Sequence, residues 1–201
     1  MDTEDTTPEQ PDTSIEAERA KYTEVWRHRA YRKACHGLDL WRTRREIFPP
    51  NPQTVLDIGC GTGRLFAHLR DNGIRADGVD LVDALDPEIR ARHGAWFREV
   101  PVQEMFDPKR WYGLGICADV MEHLPESDVH QAVQAIGGTV SQAVFLIANH
   151  PSEYMGHDLH LTRRPVEWWQ DHLAATFEHV ERLPYARKGH EVEDVFLFRC
   201  A

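Results

Sequence analysis

The sequence predicts an α/β fold, doubly wound, in which a mostly parallel sheet carries helices on both faces. Three observations lead there. Short apolar runs alternate with amphipathic stretches along most of the chain, and a glycine-rich turn joins the first run to the stretch after it. The length, 201 residues, suits one such domain, since domains commonly run to roughly 100–200 residues. Parallel strands need crossover connections, usually helical, so this alternation implies a sheet covered on both sides.

Residues 1–13, "MDTEDTTPEQPDT", are acidic and polar and read as a disordered leader. With neither a basic start nor an apolar segment, they are expected to be neither a signal peptide nor a membrane anchor. The single domain is expected to cover 14–201, beginning with a helical cap over about 14–48. Ser14 is its capping residue, Tyr22, Val25, Trp26, Ala30, Leu38 and Trp41 are its apolar positions, and Gly37 divides it. "TVLDIG" follows as a buried strand, then a glycine loop and the helical periodicity of "RLFAHLR", closed by Asn72-Gly73. "IRADGVDL", "AWFREV" and "YGLGICAD" supply three more strands, and 126–136 a helix. "VSQAVFLIAN", a helix in "RPVEWWQDHLAA" and a last strand in "EVEDVFLFRC" complete the order.

The formal charge of −10, from 33 acidic residues against 23 Lys and Arg, argues against a polyanion-binding surface, so nucleic acid is a disfavoured partner. Cys35, Cys60, Cys117 and Cys200 show no CxxC pairing, which fits a reducing cytoplasm.

The strongest signal is "VLDIGCGTGRL", Val55 to Leu65. Gly59, Gly61 and Gly63 follow a strand and open a helix, letting the backbone turn tightly and approach a ligand. Asp80 ends the second strand, where a carboxylate can accept hydrogen bonds from ribose hydroxyls. A dinucleotide fingerprint would need glycine where Arg64 stands, which disfavours NAD, and no GxxxxGK[ST] is present for ATP.

"VLDIGCGTG" followed by "GVDL" resembles motifs I and II of the class I S-adenosyl-L-methionine (SAM)-dependent methyltransferases, over roughly Thr54 to Asn149. The resemblance implies a seven-stranded Rossmann-like sheet and SAM as cofactor. It implies Asp57, Gly59, Cys60, Gly61 and Gly63 around the methionine part, Asp80 on the ribose and Leu81 beside the adenine. Val102 or Gln103 would meet the adenine edge, and Asp119, in "ADVMEHLP", would stand beside the cofactor. The Asn/Asp-Pro-Pro-Tyr tetrapeptide of one N-methyltransferase type is absent after the fourth strand.

Methyl transfer is an in-line displacement for which the enzyme mainly aligns an acceptor lone pair; a hydroxyl acceptor also needs a base or a metal. "HPSEYMGHDLHLT", His150 to Thr162, follows the fifth strand at the sheet edge where ligands bind in this fold. Its groups can cap and contact solvent, serve as a general base, or join a metal. The base reading assigns His157 or His160, with His123 and Asp158 as helpers and His150 as a further candidate; it assigns no metal. The metal reading would join Asp119, Glu122 and His123 to a loop histidine. It resembles the Glu-x-x-Glu-His cluster of small-RNA 3'-terminal 2'-O-methyltransferases, with Asp119 in place of the first glutamate. Trp26, Trp41, Trp168 and Trp169 are pocket or core candidates, with Trp26 and one of the tandem pair read as core. Arg163 and Arg164 are candidate anion clamps, and Arg27, His28, Arg29, Arg32 and Lys33 make the cap locally basic. The resulting expectation is a SAM-dependent methyltransferase acting on a hydroxyl or amine of a small molecule or glycan, bound between the cap and the 150–162 loop. The alternatives are a metal-assisted RNA 2'-O-methyltransferase and a non-catalytic SAM-binding subunit.

Overall fold

Side-chain alternation along the strands sets the layering of the computed structural model, which describes residues 12–187 and 190–201. In β1, Thr54–Ile58, Leu56 and Ile58 join one buried cluster while Val55 joins another. In β5, Ala143–Ala148, Ala143, Phe145 and Ile147 fall in the first cluster, and Val144 and Leu146 in the second. Successive side chains of a strand point to opposite faces, so each strand feeds two cores. On one face α5, Glu126–Gly137, and α6, Val166–Ala174, contribute Val129, Val133, Ile136, Trp169 and Leu173. On the other, α2, His36–Thr43, and α3, Arg64–Asp71, contribute Leu38, Trp41, Leu65, Phe66 and Leu69.

The remaining strands are β2, Arg75–Asp80, β3, Phe97–Glu99, β4, Leu114–Ala118, β6, Val180–Leu183, and β7, Val195–Cys200. They form a seven-stranded sheet in the order β3-β2-β1-β4-β5-β7-β6. The first five are parallel, and β7 runs antiparallel to both β5 and β6. Strand order reverses between β1 and β4, so the loops leaving their carboxyl ends diverge and open a crevice there.

Ser14 caps α1, Ile15–Val25, by accepting the Ala17 N–H at 3.3 Å. The expected leader lies outside the described residues over 1–11; Asp12 accepts the Ser14 N–H at 2.9 Å. Gly37 does not divide the cap. The break falls between Val25 and His36, and Gly37 lies within α2, where a Cβ would stand 2.9 Å from the Leu65 side chain; its smallness serves close packing of α2 on α3. The helix α4, Pro87–His93, and the strand β6 were not among the expected elements. No residue of α4 is buried, and β6 is an edge strand with two exposed charged residues, so neither shows an apolar period. Among the described residues no helix is long and apolar enough to cross a membrane.

Candidate functional site

The loop after β1 is tied to the end of β2. The Gly59 and Cys60 N–H groups both donate to the Val79 carbonyl, at 2.9 and 3.0 Å. Asp80 then accepts the Gly61 N–H at 2.7 Å and the Val82 N–H at 3.3 Å. Gly59 and Gly61 have φ of 68° and 51°, and a Cβ on Gly59 would lie 2.2 Å from a Val120 methyl. Only glycine fits that cradle. Asp57 accepts the Phe66 N–H from the first turn of α3 at 3.2 Å. Burial pushes the Asp57 carboxyl up to about 7 and the Asp80 carboxyl up to about 6, because neither charge is fully repaid by its amide donors.

Two clefts flank this loop. The first, of about 820 Å³, is lined by Asp80, Leu81, Val102, Gln103 and Asp119. The second is lined by Asp57, Cys60, Gly61, Thr62, His36 and Tyr154. They share Trp26, Tyr31, Gly59 and Asp119. Gly63, the remaining expected cofactor residue, lines neither; a Cβ there would meet Leu85 and Phe66, so it serves the turn and the core. The fit to SAM rests on Asp80. A carboxylate has about four lone-pair sites, two of which here face backbone amides, leaving acceptor capacity toward a cleft that also offers apolar Leu81 and Val102 and the Gln103 amide.

The N-terminal cap is strapped over these clefts. Arg32 donates to the Ala84 carbonyl and to Asp86, at 2.9 and 2.7 Å, while Arg64 donates to the Arg32 and Ala34 carbonyls, at 2.8 and 2.6 Å. Trp26, read above as core, is only partly buried and lies against Gly61, where a Cβ would be 2.7 Å from the indole. Tyr22, read above as an apolar position of the cap, and Tyr31, given no role there, both line the first cleft; the signal available was the Tyr22–Trp26 spacing of one helical turn. Trp41 and Trp169 are core, and Trp168 is partly buried beside Trp169.

After β4 the chain turns sharply at Asp119, φ 63°, whose N–H donates to the Leu146 carbonyl. Glu122 is wholly buried: one oxygen accepts the Ala148 N–H at 2.6 Å and the other has no partner. The Nδ1 of His123 lies 2.8 Å from the Leu159 carbonyl and 2.7 Å from the Tyr22 hydroxyl. The Nδ1 of His160 lies 2.6 Å from the His150 carbonyl. The two imidazoles meet edge to face, and one ligand-capable atom from each of Asp119, Glu122, His123 and His160 lies within 4.8 Å of all the others. Burial works against charge on Asp119, yet the facing imidazole of His123, with His36 and His160 nearby, holds its carboxyl well below the usual range. Burial, reinforced by Asp119, pushes Glu122 up to about 8. Burial, with His123 opposite, brings His160 down to about 4.

Of the expected catalytic residues, the structure brings His123 and His160 together beside the first cleft. His150 contributes its carbonyl to this network, and its own Nδ1 lies against the Pro151 carbonyl. His157 and Asp158 depart from expectation. They form one side of a two-residue hairpin with Glu153 and Tyr154, turned at Met155 and Gly156, and line neither cleft. Asp158 orients no histidine: both its oxygens lie 3.0 Å from Arg163, which occupies that arginine. Arg164 is likewise paired, with Glu126.

A family model described as a methyltransferase domain matches residues 25–187. A ubiquinone biosynthesis O-methyltransferase of Acinetobacter baylyi is 28% identical over 142 residues, 58% of this chain and 60% of its own length. One of Bordetella avium is 31% identical over 93 residues, 43% of this chain and 37% of its own. The chain therefore spans about 60% or less of these curated relatives. Among solved structures, a Burkholderia thailandensis 1,6-didemethyltoxoflavin-N1-methyltransferase, determined with S-adenosylhomocysteine, aligns over 96% of this chain and 92% of its own, with a TM-score of 0.61 and 18% identity. The sugar N-methyltransferase KedS8 of a Streptoalloteichus species aligns over 88% and 91%, with a TM-score of 0.60 and 20% identity. At such identities the likeness speaks for the fold.

Proposed function

We propose, for a chain that belongs to the class I SAM-dependent methyltransferases, that it moves a methyl group to a hydroxyl or amine of a small molecule or sugar-containing metabolite. The observation that carries this reading is the meeting of two clefts at Gly59 and Asp119. One offers a ribose-binding carboxylate and an apolar slot; the other offers the glycine loop. SAM, when bound, supplies an electrophilic sulfonium methyl for in-line displacement. Asp80 accepts from the ribose hydroxyls, Leu81 and Val102 flank the adenine, and Gln103, whose amide also donates to Asp128 at 3.1 Å, reaches its polar edge. Asp57, Cys60 and the backbone of the glycine loop take the amino-acid end.

The acceptor then lies where the clefts meet, beside Asp119 and His123, with Tyr31 and Tyr154 as aromatic walls, 5.4 Å apart between ring centres. The cluster of Asp119, His123 and His160 stands beside the acceptor and assists loss of its proton. The names of the relatives and neighbours support this acceptor class, being a ubiquinone biosynthesis O-methyltransferase, a 1,6-didemethyltoxoflavin N1-methyltransferase and a sugar N-methyltransferase. The charge of −10 supports a neutral or small acceptor over nucleic acid. Four free cysteines, three of them buried, support a reducing, cytoplasmic setting.

Transfer of radiolabelled methyl from SAM into a cell lysate, separated into RNA, protein and low-molecular-weight fractions, tests the reading. Counts are expected in the low-molecular-weight fraction and reduced at least about 10-fold with Asp80→Ala; counts released by ribonuclease or held by protein would overturn it.

A further inference from the structure

We infer that Asp119, Glu122, His123 and His160 hold a divalent transition-metal ion where the two clefts meet. Their four donor atoms all lie within 4.8 Å of one another. Ligands on opposite sides of an ion bonded at about 2.0–2.2 Å stand roughly 4 Å apart, so small side-chain adjustments close the site.

Two further observations separate this cluster from an ordinary polar network. Each histidine has Nδ1 against a backbone carbonyl, Leu159 for His123 and His150 for His160, and the Tyr22 hydroxyl, also beside His123 Nδ1 at 2.7 Å, can accept from the same N–H. A carbonyl can only accept, so Nδ1 carries the proton in both rings and Nε2 is left as the free lone pair. That is how metal-binding imidazoles are commonly fixed. The second observation is Glu122, with 0% of its surface exposed and one oxygen without a partner. An unpaired buried carboxylate oxygen costs free energy that a cation would recover. Asp119 completes the set from a left-handed backbone conformation, φ 63°. Its carboxylate faces His123 Nε2 at 3.9 Å and His36 Nε2 at 3.7 Å; both distances exceed a hydrogen bond.

Two imidazoles and two carboxylates form a hard-to-borderline donor set, suited to Mn2+, Fe2+, Co2+ or Zn2+ and not to Cu+. Glu122 and His160 are almost fully enclosed, while Asp119 keeps 31% of its side chain exposed, so positions not taken by protein open toward the clefts. Resting on the methyl-transfer reading above, the ion binds the acceptor hydroxyl and lowers its pKa. The hydroxyl proton leaves to solvent; the new O–C bond forms as the C–S bond of SAM breaks, releasing S-adenosylhomocysteine. An acceptor with two adjacent oxygens would occupy two open positions and be favoured over one with a single hydroxyl.

The test uses the full chain, stripped with a chelator and titrated with Co2+ followed by visible absorption, and with Mn2+ followed by electron paramagnetic resonance. One ion per chain is expected, with binding weakened by at least about 100-fold in Glu122→Gln and His160→Ala and unchanged in His157→Ala. SAM binding and thermal melting check that the variants fold; Asp119→Asn, altering the exposed member, serves should the buried ones fail. No stoichiometric ion, or equal binding in correctly folded variants, would overturn the proposal. Stoichiometric metal without methyl transfer to any fraction would count against the methyl-transfer reading and leave the site standing.

Discussion

The Asp80 carboxylate accepts the Gly61 N–H at 2.7 Å, so the residue that ends β2 also fixes the loop that follows β1. Removing it costs both the loop's anchor and the acceptor for the ribose. Hydrogen bonds to a charged group are worth about 1.5–3 kcal/mol each, so Asp80→Ala should weaken SAM binding about 10- to 100-fold, as read by calorimetry. Because burial pushes this carboxyl up to about 6, the acceptor is lost as pH falls through that value. Wild-type affinity should therefore drop between pH 7.5 and 5; a flat profile would refute the role.

Asp57 predicts an opposite trend for stability. Its carboxyl is pushed by burial from 3.8 up to about 7, so between those values the folded chain binds more protons than the unfolded one, and this group's contribution falls as pH rises. The penalty is complete above about pH 7 and amounts to at most about 4 kcal/mol. Asp57→Asn keeps an acceptor for the Phe66 N–H and removes the charge. Thermal melting of the ligand-free protein should rise in this variant at pH 8 and change little at pH 4; no gain at pH 8 would exclude a buried charge at this position.

Gly59 and Gly73 both adopt positive φ, 68° and 80°, yet alanine should separate them. At Gly73 nothing lies within 4 Å of a new Cβ, whereas at Gly59 it would stand 2.2 Å from a Val120 methyl. Gly73→Ala should cost about 1–2 kcal/mol from the left-handed backbone alone. Gly59→Ala adds an overpacking term of about 1–3 kcal/mol and narrows the cleft. Denaturant midpoints check the difference, and equal losses would show that the loop yields.

The sheet was legible because strands buried on both faces, such as "TVLDI" and "AVFLIA", are continuous apolar runs. The glycine loop and Asp80 were legible because backbone freedom and a carboxylate at a strand end leave a fixed spacing. Edge strand β6 was not, since its middle residues Glu181 and Arg182 face solvent. Nor could spacing choose among His150, His157 and His160. That choice is made by the hairpin at Met155-Gly156, which is followed by buried Leu159 and His160 while His157 stays on the outside. Tyr22 and Tyr31 escaped because their helix and turn address a ligand cleft, whose apolar demand looks like that of a core.

Arg64 stands where a dinucleotide fold would place its last glycine, and the structure gives that long side chain a purpose. Its guanidinium bonds the Arg32 and Ala34 carbonyls and Thr62, holding down the segment that brings Trp26 and Tyr31 to the clefts. The bonds lie outside both core clusters, so their loss should loosen the cap before it unfolds the sheet. Arg64→Ala is expected to raise the KM for SAM about 3- to 10-fold with a smaller change in kcat, the pattern of lost ground-state binding. Limited proteolysis should accelerate between Val25 and His36, where the chain leaves one helix and has not begun the next. Both readouts follow from one cause, so unchanged cleavage with a raised KM would assign Arg64 to direct cofactor contact in place of the strap.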